Sequence, residues 1–248
     1  MLGKNTIGHA SAAILTKAIA EGADQPVLPD YRALDEYRSE GGYALLADVL
    51  LTLDDLRLVP DADNIVPETS TATSQPDAGP KHNSVLIASR RGIDRSWAFD
   101  RDGLDPRHLW CAEIDGVVLC GVYMPQRTEK LPYWEALIGD ARRDGVDLLV
   151  GDFNTGNNDL DKDPQGAKFI GPEMPGRLTA TGYTDVWRSL HPAAREYSWF
   201  SRPGDNGFRL DYLFAVPDLA RQVSACTFDH APRITGETDH SGLVASLG

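Results

Sequence analysis

The stretch Leu148-Leu149-Val150-Gly151-Asp152-Phe153-Asn154-Thr155 constrains this chain more than any other. The apolar run has the length and composition of a strand buried on both faces, which requires cover on either side of a sheet. It stops abruptly at glycine, followed by two polar residues that flank an aromatic. Residues i and i+2 of a strand share a face. Asp152 and Asn154 are therefore expected to point the same way, a carboxylate and an amide at the mouth of a sheet. A strand closed by ordinary turn formers would carry the same two residues, because both favour turns.

At 248 residues the chain is long enough to bury a sizeable core, and an apolar fraction of 42% is that of a globular protein. No segment approaches the roughly 20 apolar residues of a membrane span. The first residues lack the charged start, apolar core and cleavage site of a signal peptide. Three cysteines give no CxxC pair and no disulfide framework. Cys111 and Cys120 lie in apolar, strand-like surroundings and read as core residues. The cytoplasm is the expected compartment. A formal net charge of −13 works against broad attraction to a phosphate backbone. A local basic cleft or a bound cation can reverse that field where it matters.

Taken in order, residues 2–7 read as a first strand carrying Asn5, and 10–21 have helical spacing ended by Gly22. Residues 31–36 read as a second strand with Glu36 at its end. Residues 41–56 read as a helix, with Leu45, Leu46, Val49, Leu50 and Leu53 on one face. Residues 60–80, rich in Pro, Ser, Thr, Asp and Ala, read as an exposed loop. A strand is expected over 83–91. Two more fill 109–124, joined at Asp115-Gly116, a strong hairpin signal. A helix over 130–143 then leads into the central strand. Asp159, Asp161 and Asp163 alternate in the following loop without EF-hand spacing, and read as solvated turn residues. After a short helix and turn over 177–190, residues 196–200 and 208–216 read as an antiparallel pair. The second of these places Asp211 among apolar and aromatic neighbours, a costly position unless the carboxylate is paired. Thr238-Asp239-His240-Ser241 precedes a last strand over 243–247.

The order of these pieces is Asn on the first strand, Glu at a later strand end, Tyr123-x-Pro125, Gly151-Asp152-Phe153-Asn154, Arg209-Leu210-Asp211-Tyr212 and Thr238-Asp239-His240. It resembles the endonuclease/exonuclease/phosphatase superfamily, which includes apurinic endonucleases and pancreatic deoxyribonuclease. The resemblance runs over most of the chain and is strongest from Asn83 onward. It implies an α/β fold: a four-layer sandwich of two packed, mixed, mainly antiparallel sheets flanked by helices, in one domain over 1–248. It also implies metal-assisted hydrolysis of a phosphate ester, in which a cation held by oxygen ligands neutralises charge at the reacting phosphate. Magnesium is the expected ion, with manganese as its substitute.

Residue by residue, the resemblance casts Glu36 as the principal metal-binding glutamate, with Asn5 supporting it and Asp239 at a second or alternative metal position. Asp152 would position or deprotonate the attacking water. Asn154 would orient the same group or donate to a phosphate oxygen. Asp211 would pair with His240 and favour its protonated form at the phosphate. Tyr123 matches a tyrosine near the phosphate, and Arg38 falls where the family often has a lysine on the substrate side. Lys4 stands where an aromatic is usual, and Ile7 where the family's nucleases often have Asp or Asn. Residues 61–69, ending in Glu68-Thr69, also resemble the family's strand that closes on Glu-Thr. Glu36 is the expected ligand because it leaves room for a helix on either side.

The expected activity is divalent-metal-dependent hydrolysis of phosphodiester bonds, with nucleic acid as the leading substrate. A phosphatase or phosphodiesterase acting on a small-molecule or lipid phosphate is the alternative, and a non-catalytic binding module on the same fold is a third reading. The sequence fixes no oligomeric state.

Overall fold

In the computed structural model the described residues are 44–46, 71–74, 84–89, 91–202, 204–236 and 238–247. Asn5, Glu36, Arg38 and Glu68 lie outside them, as do the strands expected at 2–7 and 31–36 and the helix expected at 10–21.

Thirteen strands are described, the first three forming one small sheet. β1 (Ala44–Leu46) runs parallel to β3 (Ser84–Ser89), and β2 (Thr71–Ser74) pairs antiparallel with β3 on its other side. The helix expected over 41–56 is thus a strand at 44–46. A short apolar run is ambiguous between the two forms, and pairing across the sheet decides it. The loop expected over 60–80 contains β2, whose two threonines suit an extended backbone.

The main sheet has six strands. In chain order they are β4 (Arg95–Ala98), β5 (Leu109–Ile114), β6 (Val117–Tyr123), β7 (Leu148–Asp152), β8 (Thr184–Asp185) and β11 (Asp211–Ala215). Their spatial order is β4-β5-β6-β7-β11-β8. Asp115 and Gly116 both take positive φ, 50° and 77°, which closes β5 onto β6 as a tight hairpin. β7 is parallel to β6 and antiparallel to β11, so the sheet is mixed.

All five residues of β7 are buried, because both faces of the sheet are covered. Leu148 and Val150 join Leu213 and Ala215 in a core shared with Val85 and Ile87 of β3. That core also takes Phe228 of β12 (Val223–Asp229) and Leu243 of β13 (Gly242–Leu247), which pair antiparallel. Leu149 and Phe214 point to the opposite face. There they pack with Trp134 of α1 (Leu131–Ala136), Leu137 of the π-helical turn that continues it, and Leu178 of α2 (Met174–Ala180). Full burial of one such leucine contributes about 1.5–3 kcal/mol. Helices α1 and α2 thus cover one face of the main sheet, and β3, β12, β13 and the short helix Val186–Leu190 cover the other.

Two sequence expectations fail near the C-terminal half of the sheet. The pairing expected between 196–200 and 208–216 is confined to β9 (Trp199–Phe200) with β10 (Gly207–Phe208). The chain then leaves that ribbon at Arg209-Leu210, and β11 pairs with β7 instead. Asp161 is not solvated: it is 2% exposed and accepts from Arg209 Nε at 2.8 Å, Arg188 Nη2 at 2.6 Å and the Tyr212 hydroxyl at 3.1 Å. These side-chain partners lie far along the chain, beyond any local pattern.

Gly151 lets β7 approach β6. Its φ is +134°, and a Cβ there would stand 2.1 Å from the Val122 carbonyl oxygen. That obstacle is backbone and cannot swing aside. Gly151→Ala is expected to cost about 3 kcal/mol. Thermal denaturation should show Tm lower by about 6–12 °C. An unchanged Tm would mean that β7 and β6 are not so closely paired.

Candidate active site

Three strand ends form one row. Tyr123 of β6 is in register with Asp152 of β7, and Asp152 with Asp211 of β11. Because β7 and β11 are antiparallel, Asp152 closes one strand where Asp211 opens the other. Alternation puts both carboxylates on the face that carries Val150 and Leu213. Both are nearly enclosed, Asp152 at 3% and Asp211 at 1% exposure.

His240 arrives from the turn before β13. A single antiparallel bridge joins His240 to Trp199, and the next amide, Ser241 N–H, donates to the Ser198 carbonyl at 2.8 Å. His240 Nδ1 lies 2.8 Å from Asp211 Oδ2. Burial opposes charge on this imidazole, but Asp211 outweighs it by its charge and hydrogen bond, with Asp152 and Asp239 adding to the pull. The net effect lifts His240 to about 10. At neutral pH it is therefore an imidazolium, with Nδ1–H donating to Asp211.

Asp152 is shifted upward too, which for a carboxyl favours the neutral form. Burial raises its carboxyl to about 7, and the charge of Asp211 adds to the rise. His240, the Asn154 amide and Lys130 hold it down. Asp211 itself is set by Ser198, whose Oγ accepts from Leu210 N at 3.0 Å and from Asp211 N at 3.3 Å. Beneath it Arg209, 1% exposed, reaches Asp185 Oδ2 at 2.7 Å as well as Asp161, which ties the start of β11 to β8 and to the loop after β7.

Asn154 and Asp152 do meet, though not by strand alternation. β7 ends at Asp152, and Asn154 turns into the left-handed region at φ 51°. Asn154 N then donates to Asp152 Oδ1 at 2.8 Å. Its side-chain Nδ2 donates to Asp152 Oδ2 at 3.0 Å and to the Met124 carbonyl at 2.6 Å. Tyr123, half-buried, completes the row. Asp239 sits beside His240, and its Oδ2 accepts from the Trp199 indole at 3.1 Å.

Among the sequence-derived site residues, the structure brings together Tyr123, Asp152, Asn154, Asp211, Asp239 and His240. Asn5, Glu36 and Arg38 lie outside the described residues. Sequence reasoning gave no role to Trp199 or Lys130. Lys130, 4% exposed, donates from Nζ to the Asn154 carbonyl. One faint signal was present: a cation at the start of a helix opposes the helix dipole and needs another reason to be there.

Chemically, the site sets an imidazolium and an acid able to shed its proton near neutrality on adjoining segments. Such a pair can accept a proton at one atom and offer a charged hydrogen bond at another. Asp239 is an oxygen donor of the hard type that magnesium takes. Among the described residues no three His, Cys, Asp or Glu side chains gather as a metal site. No helix among them is long and apolar enough to cross a membrane.

Residues 23–240 match the model of the Endonuclease/Exonuclease/phosphatase family. Solved structures with a similar fold include an AP endonuclease from Archaeoglobus fulgidus, with TM-score 0.59 and 25% identity, covering 65% of this chain and 74% of that one. A 3′ phosphatase from Neisseria bound to a product DNA hairpin has TM-score 0.58 and 25% identity, covering 66% and 74%. A 3′-5′ exonuclease from Neisseria meningitidis has the same TM-score of 0.58 and 25% identity, covering 65% and 74%.

Proposed function

The chain belongs to the endonuclease/exonuclease/phosphatase family, and from that premise we propose that it is a divalent-metal-dependent phosphodiesterase whose substrate is DNA. The observation that carries this reading is the Asp211–His240 pair, at 2.8 Å, standing one strand away from a buried acid raised to about 7. DNA is the first substrate to test because the similar Neisseria 3′ phosphatase is seen with a product DNA hairpin. For the chain as a whole we infer the four-layer sandwich, with a further helical layer outside β3, β12 and β13.

In this reading His240, held protonated by Asp211, donates a hydrogen bond to a non-bridging phosphate oxygen and stabilises the charge that grows there. Asp152 takes the proton of the attacking water as its oxygen bonds to phosphorus and the bond to the leaving oxygen breaks. Asn154, fixed through Nδ2, orients Asp152. Tyr123 borders the phosphate, and Arg38 contacts the substrate. Asp239, together with Glu36 and Asn5, would hold magnesium or manganese. The ion would supply charge neutralisation at the phosphate and the leaving oxygen.

The test is hydrolysis of three DNA probes, one with an abasic site, one with a 3′ phosphate and one plain duplex, during a magnesium titration. Metal-dependent cleavage of at least one is expected, abolished by chelation. Cleavage undiminished in chelator would overturn the metal dependence. A net charge of −13 favours a second reading, a small-molecule or lipid phosphate ester as substrate. Turnover of inositol phosphates or sphingomyelin with all three DNA probes intact would replace the first reading by the second.

A further inference from the structure

Lys130 belongs to none of the roles above, yet it is the most deeply buried lysine in the described chain, 4% exposed at the start of α1. Burying an ammonium group without partners is costly, so its surroundings must compensate. Two groups do so. Its Nζ donates to the Asn154 carbonyl, and the Asp152 carboxylate is the charge that acts on it. The other charged groups acting on Asp152 are His240 from the turn before β13 and Asp211 from β11. Along its own segment Lys130 is flanked by Arg127 and Glu129, both exposed.

The carbonyl that Lys130 holds belongs to a residue whose geometry is tightly constrained. Asn154 is left-handed at φ 51°, and three of its donor contacts are committed, two to Asp152 and one to the Met124 carbonyl. Lys130 adds the fourth fixed point by gripping the carbonyl side of the same turn. One ammonium group thus locks the turn and faces the acid that the turn orients.

We propose that Lys130 is a positioning residue for phosphoester hydrolysis: it anchors the Asn154 turn and adds its charge to the larger effect of His240 in opposing the neutral form of Asp152, acting through them without touching substrate. This role rests on the phosphoesterase reading of the site. Electrostatics run in the same direction. Burial drives Lys130 down to about 8 against the pull of Asp152, so at pH 7 it is still mostly cationic. Burial lifts Asp152, and Lys130 is one of the groups that oppose the rise. Removing the charge at 130 therefore leaves less of Asp152 ionised at neutral pH.

The experiment uses the full chain with Lys130→Gln, which keeps a donor and loses the charge, and Lys130→Arg, which keeps both. Each unit of rise in the pKa of the base leaves a tenth as much of it ionised on the acid side, so Lys130→Gln should be slower below pH 7, by up to about tenfold. KM should change by less than about twofold, because the residue acts through Asp152 and contributes no binding of its own. The acid limb of kcat should move to higher pH, and Lys130→Arg should restore it. A merely structural lysine would change Tm and leave that limb in place. Carbon-13 spectra of labelled aspartates give a readout that needs no substrate: the Asp152 signal, identified by its loss in Asp152→Asn, should titrate at higher pH in Lys130→Gln. Should that variant fail to fold, the reciprocal measurement replaces it, since Lys130 should titrate at lower pH in Asp152→Asn than in the wild type.

An Asp152 titration and acid limb unchanged in Lys130→Gln, or a Lys130 titration indifferent to Asp152→Asn, overturns the proposal while the phosphoesterase reading stands. A wild-type protein that cleaves no phosphate ester overturns that reading, and the catalytic role of Lys130 with it.

Discussion

Asp152→Asn is expected to lower turnover at neutral pH by about 10³-fold, within the range for loss of a positioned general base. The side chain keeps its shape, and the strand that carries it is held by ladder bonds to β6 and β11. KM and the far-ultraviolet spectrum should therefore change little. The pH dependence gives the sharper criterion. A base must be ionised to act, so wild-type kcat/KM should rise with pH through the Asp152 titration, near 7, if Asp152 is the base. That limb should be missing from the residual activity of Asp152→Asn. Steady-state kinetics between pH 5 and 9 decide it: a variant that keeps wild-type turnover, or the same limb, removes Asp152 from the role of base.

The second large effect is expected at Asp211→Asn. Here activity and stability should respond together. His240 is raised from 6.5 to about 10 because Asp211 overcomes the penalty of burial. A basic group with a raised folded pKa stabilises the fold fully below its unfolded pKa and loses that contribution as pH climbs through the folded one. The stability lost in Asp211→Asn should thus be greatest near pH 6 and vanish above about pH 10. Breaking a buried pair of this kind costs about 3 kcal/mol, read as the gap in denaturation midpoint between variant and wild type at pH 6. In activity, the imidazole loses the partner that keeps it charged and fixes which nitrogen bears the proton. Turnover should fall by about 10²–10⁴-fold, with the alkaline limb displaced to lower pH. A stability gap that does not vary with pH would mean that Asp211 and His240 are not an ion pair.

Much of the frame was legible in the residues. β7 could be read because a fully apolar run of that length has few alternatives, and the β5–β6 hairpin because Asp115-Gly116 suits positive φ at both turn positions. The burial of Asp211 was foreshadowed by its apolar neighbours. Its meeting with His240, from a turn 29 residues further on, came from resemblance and from no local pattern. The link between Asp152 and Asn154 was anticipated for the wrong reason: strand alternation was expected, and a left-handed turn does the work. Asp161 was misread because its charge partners Arg188 and Arg209 lie 27 and 48 residues away. β12 was missed, since Val223-Ser224-Ala225-Cys226-Thr227-Phe228 places Ala225 on the exposed side next to the bulge that shifts its register. Lys130 was read only as the beginning of a helix.

The row Tyr123, Asp152, Asp211 is spaced by the sheet itself. Neighbouring strands stand about 4.8 Å apart, and backbone hydrogen bonds set that interval whatever the side chains are. The two acids are thus mounted on a ruler that mutation of their surroundings can hardly stretch. His240 and Asp239 ride on the turn before β13 instead, and turns accept insertions and altered backbone angles more readily than paired strands. Divergence toward new phosphate esters would then proceed by re-aiming the turn-borne groups over a pair of carboxylates whose separation never changes.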